Sequence, residues 1–521
     1  MARRAKIINQ EPPAEGDPGV EQQPIESRII GPDEVKLKNY VSDESVMRQV
    51  RKLLPVIEKT RTNRTEVEDR WDRYRDIYAL RRNVAYYVGR SQLFLGALRK
   101  AVDTTVRVAK DALFQGKYID AVADDSVSPL LRKNAVQFMT YLVEDQAKAK
   151  VVAPLYLRQL YTIGTSCLKL GWLKREKLVK YRKVVDGQLV NQSRKIFDHY
   201  GPTIDVVDMK RIYVWPETAI DYDHLKLIFE DTTTTVGKLK AREKFFDADA
   251  LAKVIEKRER ALAEYRKGTS EHVKEGIPDP AIDEEELDIT EAWALLELPG
   301  QKEPTWVPFT VVGDDVLRVA ENPWWFQHPP YLFGAIFRTH DYFYGHGLIE
   351  GGEMWQYMLN DTANQTMDMT TYTVNSIVAY DPEEIDDPDA LKIQPQAKWP
   401  IKPESVAFMR PPAQLGIEGM QMVRFLLNVI QEQSGATALV QGAPREGLGR
   451  ATGTATGVNT LMTQASSDIL DQVEEQESQV FTPMLRAIEV MAHEMMDDAM
   501  VVRMLGPDGV TLTQRIVSPQ D

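Results

Sequence analysis

Apolar residues recur at intervals of three and four along the first part of the chain, the spacing that gathers them on one face of a helix. In Asp43–Thr60 they are Val46, Val50, Leu53, Leu54 and Ile57, behind a Ser42-Asp43 start signal. A second stretch, Arg64–Leu80, carries Val67, Trp71, Tyr74 and Tyr78, with Arg, Asp and Glu alternating as on a face laced by ion pairs. Two more helices are expected over Leu93–Phe114 and Ser128–Asp145, and a shorter one over Ala153–Thr162. The period then falls to two. Cys167–Trp172 and Leu178–Val185 read as strands separated by a short charged segment, with a tight turn at Asp186-Gly187. Further strand signals cover Pro202–Trp215 and Leu225–Thr234, then a meander of Ile289–Leu298, Thr305–Val312 and Val316–Glu321. A charged helix, Val236–Arg266, interrupts them, and Pro323–Arg338, rich in Trp, Pro and Phe, is extended.

The last third changes character. Leu348 to about Ile377 lacks proline, and Leu348, Trp355, Leu359, Thr362, Thr366 and Met369 fall on one side of a long helix. Its polar positions are Asn, Gln and Thr, with four acids (Glu350, Glu353, Asp361, Asp368) and no Lys or Arg. Asp381–Pro412 is too proline-rich for a long helix. Gln414–Ala438 is a second long helix with Met422, Phe425, Leu426 and Val429 on one face, followed by a Gly-rich loop, Gln441–Gly453. Thr454–Met500 reads as another very long helix. The fold class expected is therefore α+β and helix-rich, and the first 34 residues, Pro-, Glu- and Gln-rich, read as an extended arm.

Composition narrows the class. Hydrophobic residues make up 43% of 521, enough for a sizeable core in several packed units. No run is long and apolar enough for a membrane span; Val151–Trp172 comes nearest and is interrupted by Arg158 and Lys169. The one cysteine, Cys167, sits in an apolar strand as a buried thiol would and excludes an internal disulfide, which suits assembly in a reducing cytoplasm. The net charge of −14 argues against static wrapping of nucleic acid. Yet residues 1–120 hold 23 Lys/Arg against 18 Asp/Glu, a net of +5, so the remainder carries −19. Two solvated surfaces account for this, or regions that face different partners.

Catalytic patterns are missing. Gly116-Lys117 and Gly237-Lys238 lack both the preceding glycine and the following hydroxyl residue of a phosphate-binding loop. Gly345-His346-Gly347 with Gly351, and Gly447-Leu448-Gly449 with Gly453, miss the dinucleotide spacing and suggest hinges at helix starts. His493-Glu494 meets Asp497 where a zinc protease needs histidine. His340, Asp341 and His346 form a hydrogen-bonded turn more simply than a metal site, and Trp324 and Trp325 suit a core. No catalytic residue, metal or cofactor is expected.

The order of parts, over roughly residues 35–500, resembles tailed-bacteriophage portal proteins, the head-to-tail connectors. Local segments share the resemblance: Tyr342-Phe343-Tyr344-Gly345-His346-Gly347 before the first long helix, Gln356-Tyr357-Met358-Leu359-Asn360 with Asn364 within it, Ser434-Gly435 to Gly442 after the second, and Arg450-Ala451-Thr452-Gly453-Thr454-Ala455-Thr456. The acidic character and the missing coiled C-terminal extension are closer to the short-tailed phage type. The resemblance implies a wing at 35–347 (helical 35–146, α+β body 147–347), a stem helix at 348–380, a clip at 381–412, a second stem helix at 413–440, a tunnel loop at 441–453, a crown helix at 454–505 and a tail at 506–521. It implies a non-enzymatic homo-oligomer, usually a dodecamer, at one capsid vertex of the virion. Such a ring conducts double-stranded DNA during packaging and ejection. Its partners would be the terminase large subunit, tail adaptor proteins, and the major capsid and scaffolding proteins, with no membrane.

Within that frame, Arg445 and Arg450 would project into the channel and touch passing phosphates, although solubilising a surface loop explains them too. Glu350, Glu353, Asp361 and Asp368 would form an acidic wall to which DNA does not stick, and the Asn/Gln/Thr-rich helix would pack against identical neighbours. Lys392, Lys398 and Lys402, beside Asp386 and Asp387, would lie on the rim that meets the motor and then the adaptor, or simply in a solvated loop. The competing readings are another head-assembly subunit, a scaffold or adaptor, and an acidic hydrolase of unfamiliar site. A scaffold would be mostly helical and extended, unlike 150–340.

Overall fold

The structure is a computed structural model that describes residues 38–81, 90–114, 119–120, 129–185, 188–242, 245–260, 286–324, 326–374, 377–380, 383, 406–409, 414–435, 467–496, 500–505 and 512–517. Helix α1, Glu44–Tyr78, opens where Asp43 accepts the Ser45 and Val46 amides at 2.9 and 3.3 Å. Two helices were expected across this stretch; there is one, 35 residues long, about 50 Å at 1.5 Å per residue. The polar Arg61-Thr62-Asn63-Arg64 run that suggests a break is instead an anchor. Arg61 Nη2 donates to Asp231 Oδ1 at 2.6 Å and to Thr290 Oγ1 at 2.8 Å.

Arg64 is wholly buried. Its guanidinium donates to the Ile212 and Lys210 carbonyls, to Tyr344 Oη at 3.3 Å and to Glu68, and stacks 3.4 Å over the Tyr213 ring. Burial opposes its charge, but Tyr344, Tyr213 and Glu68 outweigh that and raise its pKa. This residue marks a crossover. Ahead of it, Val46, Val50 and Ile57 join a core with Phe229, Val307 and Phe309; beyond it, Val67, Trp71, Tyr74 and Ile77 enter the main core.

The first of these cores lies on a five-stranded antiparallel sheet in the order β3-β4-β5-β6-β7: Ile212–Trp215, Leu227–Thr235, Glu286–Leu296, Thr305–Val312 and Asp315–Val319. These match the expected strands to within three residues at each end, apart from Pro202–Trp215, which divides between two strands. The charged helix of Val236–Arg266 is two, α5 at Val236–Ala241 and α6 at 248–260, because Asp247 caps the second through the Ala250 amide at 3.0 Å. A second sheet has the order β2-β1-β8, from Gln188–Val207, Thr165–Val185 and Tyr331–Ala335. Here the two short strands expected around a charged segment are a single strand of 21 residues. Its charges do not break it because they find partners across the hairpin: Arg175 pairs with Asp198 at 2.7 Å and Lys174 lies 5.2 Å over the Tyr200 ring.

Lys169 joins the two sheets. Its ammonium meets Glu230 at 2.6 Å and Glu291 at 3.1 Å, and Tyr331 Oη donates to Glu230 at 2.7 Å. Burial disfavours its charge, yet the two carboxylates hold it protonated above the ordinary lysine range, and Lys169 in turn keeps Glu291 ionised below its own. Cys167 and Trp324 are buried, as expected.

Helices α2 (Ala97–Leu113), α3 (Pro129–Tyr141, extended by a π-turn to Gln146) and α4 (Ala149–Ile163) pack with α1 around the main core. The C-terminal helix is α9, Ser467–Gln476, continued through a π-turn into α10, Thr482–Met495. It docks through the buried Gln476, which accepts from Tyr156 Oη at 2.7 Å and donates to the Ala335 carbonyl at 3.1 Å. The helix expected to reach 505 ends at Met495. Met500–Leu505 and Leu512–Val517 pair instead as antiparallel strands where a helix end and a tail were expected. Both runs are rich in β-branched residues around a Gly506-Pro507-Asp508-Gly509 turn signal.

Arg64→Met should destabilise the chain by about 2–4 kcal/mol, because buried carbonyls lose their donor. Urea unfolding followed by tryptophan fluorescence measures this; an unchanged midpoint would show that Arg64 does not hold the two cores together.

Candidate functional site

The long helix α7 runs over Leu348–Val374, and α8, Gln414–Gln433, returns alongside it. Between them Ile377–Tyr380 (β9) pairs antiparallel with Val406–Met409 (β10), with Met409 opposite Ile377. The first helix thus stops short of the expected residue 380, because Ile377-Val378-Ala379-Tyr380 is a β-branched and aromatic run that closes the proline-rich excursion as a strand pair. The residues expected on its inner side do avoid full exposure, from Leu348 to Met369. Leu359, Leu426 and Ile430 are buried in the main core, and Gly419 lies so close to Thr366 that a Cβ there would collide with it.

The polar face of α7 has an occupant within its own chain. Gln356, Asn360, Asn364 and Asp368 are spaced by four, one above another on the helix. The amides of Leu98, Leu95, Leu93 and Ser91 donate to them in turn, at 3.1, 2.9, 2.6 and 2.7 Å. Asn364 Nδ2 returns a bond to the Leu93 carbonyl at 3.0 Å, and Gln356 Nε2 one to the Leu95 carbonyl. A four-residue helical step advances about 6 Å and a two-residue extended step about 6.7 Å, so from Asn360 to Asp368 the helix face reads the extended main chain of Leu95, Leu93 and Ser91 as a neighbouring strand would, while Leu98 donates from the first turn of α2. The Asn/Gln positions, expected to face identical neighbours, therefore serve the 91–98 segment. The signal for this was in the sequence: four amide or carboxylate side chains at an unbroken period of four.

The four acids separate. Glu350 lies 3.6 Å from Arg70 Nη1 and 3.0 Å from His346 Nδ1. Glu353 lies 3.6 Å from Arg73 Nε and accepts from Tyr357 Oη at 3.2 Å. Asp368 is the last rung of the ladder, and hydrogen bonds from Ser91 hold its carboxyl below the ordinary aspartate range. Asp361 is exposed. Arg445 and Arg450, and the cluster of Asp386, Asp387, Lys392, Lys398 and Lys402, lie outside the described residues.

Entry into α7 is tightly packed. The glycines expected as a hinge are pressed against other backbone: a Cβ on Gly345 would strike the Ile336 carbonyl, and one on Gly164 (φ +90°) would strike Gly345. The Ile336 amide donates to the Gly164 carbonyl at 3.0 Å, the His346 amide to the Ile336 carbonyl at 3.1 Å, and the Gly345 amide to Thr165 Oγ1 at 2.8 Å. His340 and Asp341 form a turn, and among the described residues no three His, Cys, Asp or Glu side chains converge on a metal position.

Away from the core the paired helices present large apolar side chains to solvent. Met354, Tyr357, Met358, Met367 and Tyr372 of α7 and Ile417, Met420, Met422 and Phe425 of α8 are exposed, Met354 to 69% and Ile417 to 63%. The expected single apolar face of α8 is split, with Leu426 buried and Phe425 outside. No helix among the described residues is long and apolar enough to cross a membrane. Patches of this kind mark surfaces that other macromolecules cover.

A family model described as the phage SU10 portal protein matches residues 98–518. No curated protein matches the chain.

Replacing Asn360 and Asn364 together by Ala should free the 91–96 segment. Hydrogen exchange at the Leu93 and Leu95 amides is expected to accelerate by about tenfold or more, the loss of one to two buried hydrogen bonds. At Ser91 the protection should persist below the ordinary aspartate range and vanish as pH falls through the lowered Asp368 pKa, since only the ionised form accepts both bonds. Protection that ignores pH would remove Asp368 from the ladder.

Proposed function

The chain belongs to the family of the phage SU10 portal protein, whose members are structural components of the virion's capsid vertex rather than enzymes, and from that membership we propose that it is a ring-forming DNA conduit. The ring conducts double-stranded DNA into the head during packaging and out during ejection. It docks the terminase large subunit and later the tail adaptors, after assembly with the major capsid and scaffolding proteins in the host cytoplasm. ATP hydrolysis falls to the motor, in line with the missing phosphate-binding loop.

One observation carries the reading: two long helices joined by a small strand-closed excursion, with Met354, Ile417, Phe425 and their neighbours exposed in the single subunit. Repeated around a closed ring, each such flank is covered by the next copy. The strand-rich body between Thr165 and Ala335 speaks against an extended helical scaffold. In the ring, α7 and α8 act as the stem and residues 381–412 as the clip, whose Lys392, Lys398, Lys402, Asp386 and Asp387 meet motor and adaptor. Asp361, Asp368 and the arginine-paired Glu350 and Glu353 keep the wall acidic, so that phosphate slides past it. Arg445 and Arg450 supply brief phosphate contacts from the tunnel loop.

Electron micrographs and native mass of the purified chain should give a closed ring of about twelve copies with a central hole. A stable monomer at micromolar concentration would overturn the proposal. Arg445→Ala with Arg450→Ala should alter DNA packaging or retention and leave ring assembly intact; unchanged packaged DNA would remove these arginines from the channel.

A further inference from the structure

The hairpin of β1 and β2 extends far beyond the sheet it starts in. β8 pairs with β1 only over Thr165–Lys169, whereas the β1–β2 register runs on to Val185 opposite Gln188. Past Lys174 and Tyr200 it is a two-stranded ribbon among the described residues, about 35 Å long at 3.3 Å per residue. A ribbon of two strands is marginal in water, so one this long calls for a covering surface.

Its composition says which kind. Residues 174–200 hold eight Lys/Arg against three Asp/Glu, a net of +5 in a chain of net −14, which leaves −19 on everything else. The register sets Lys177 opposite Ile196, Leu178 opposite Lys195, Val179 opposite Arg194 and Lys183 opposite Val190. Successive residues of a strand belong to opposite faces, so cationic and apolar positions alternate on both sides of the ribbon. A phosphate lattice would satisfy the cations and leave the apolar positions uncovered. A protein surface that carries apolar side chains among its acids satisfies both. Such a surface exists on this chain: along α9 and α10, Asp468, Asp471, Glu474, Glu475, Glu477 and Glu489 are exposed, Leu470 is exposed among them, and Arg486 is the one exposed Lys or Arg there.

We infer that the β1–β2 ribbon is an intersubunit arm that seats on the acidic surface of a second copy of this chain. The inference rests on the ring reading and adds to it a contact outside the helix pair, one with an electrostatic signature: assembly through the arm weakens with salt, whereas assembly through the apolar flank does not.

Two measurements on the full chain test it. In the variant Lys177→Glu, Lys183→Glu, Arg194→Glu, Lys195→Glu, the concentration for half-assembly, read by sedimentation, should rise by about tenfold or more, and its salt dependence should flatten. In wild-type assemblies formed from heavy-nitrogen-labelled and unlabelled subunits, zero-length carbodiimide coupling should join ribbon lysines to acidic residues of the other isotope. Mixed-isotope links support the arm even where the variant fails to fold; same-isotope links alone overturn it. A folded variant that assembles like wild type overturns the arm and leaves the ring reading standing, whereas a wild-type chain that never self-associates overturns both. If the folded variant assembles normally but loses retention of double-stranded DNA, the ribbon's partner is nucleic acid and the inference falls.

Discussion

A single buried guanidinium sets how the body of this protein is put together. α1 is too long to belong to one core, and its two halves serve two. At the crossover a side chain must satisfy main-chain carbonyls that no strand reaches, and Arg64 does so while its plane stacks on Tyr213. Five donors in a rigid fork suit that task better than an ammonium would. The Lys169 cluster performs a related role between the two sheets, with carboxylates in place of carbonyls. Both are polar joints between apolar bodies, and both keep their charge because carbonyls, rings or carboxylates meet each of them.

The paired helices follow another logic. α7 has a narrow apolar side, and most of what remains is amide, hydroxyl and carboxylate. Part of that polar surface is taken by the extended segment at 91–96 and the first turn of α2, whose free main-chain amides find their acceptors on a helix. Among the side chains left outside are methionine, tyrosine, isoleucine and phenylalanine, long or flat groups that adapt to a partner's contour.

Much of this was legible in the sequence. The α+β class, the meander of β5 to β7, the two long helices and the closed excursion between them all follow from period, proline placement and β-branching. Long-range satisfaction of polar groups did not. Arg61 and Arg64 look like a loop until Asp231 and the Ile212 carbonyl are beside them. Lys174 and Arg175 look like a strand break until β2 lies opposite. The C-terminal strand pair was hidden because a helical period carried on into its first strand. Of the candidate site, the acids of α7 were found but not their partners, since Arg70 and Arg73 sit nearly three hundred residues earlier in the chain. The ribbon's charge was visible as composition; its meaning required the register.

The glycine contacts at the root of α7 have a mechanical consequence. Gly164, Ile336 and Gly345 meet main chain to main chain, with no side chain between them to rotate or yield. At this point a load along α7 passes into the end of α4 and the start of β1 through peptide groups. A thrust along the helix axis thus meets, at its root, a contact that no rotamer change can relieve.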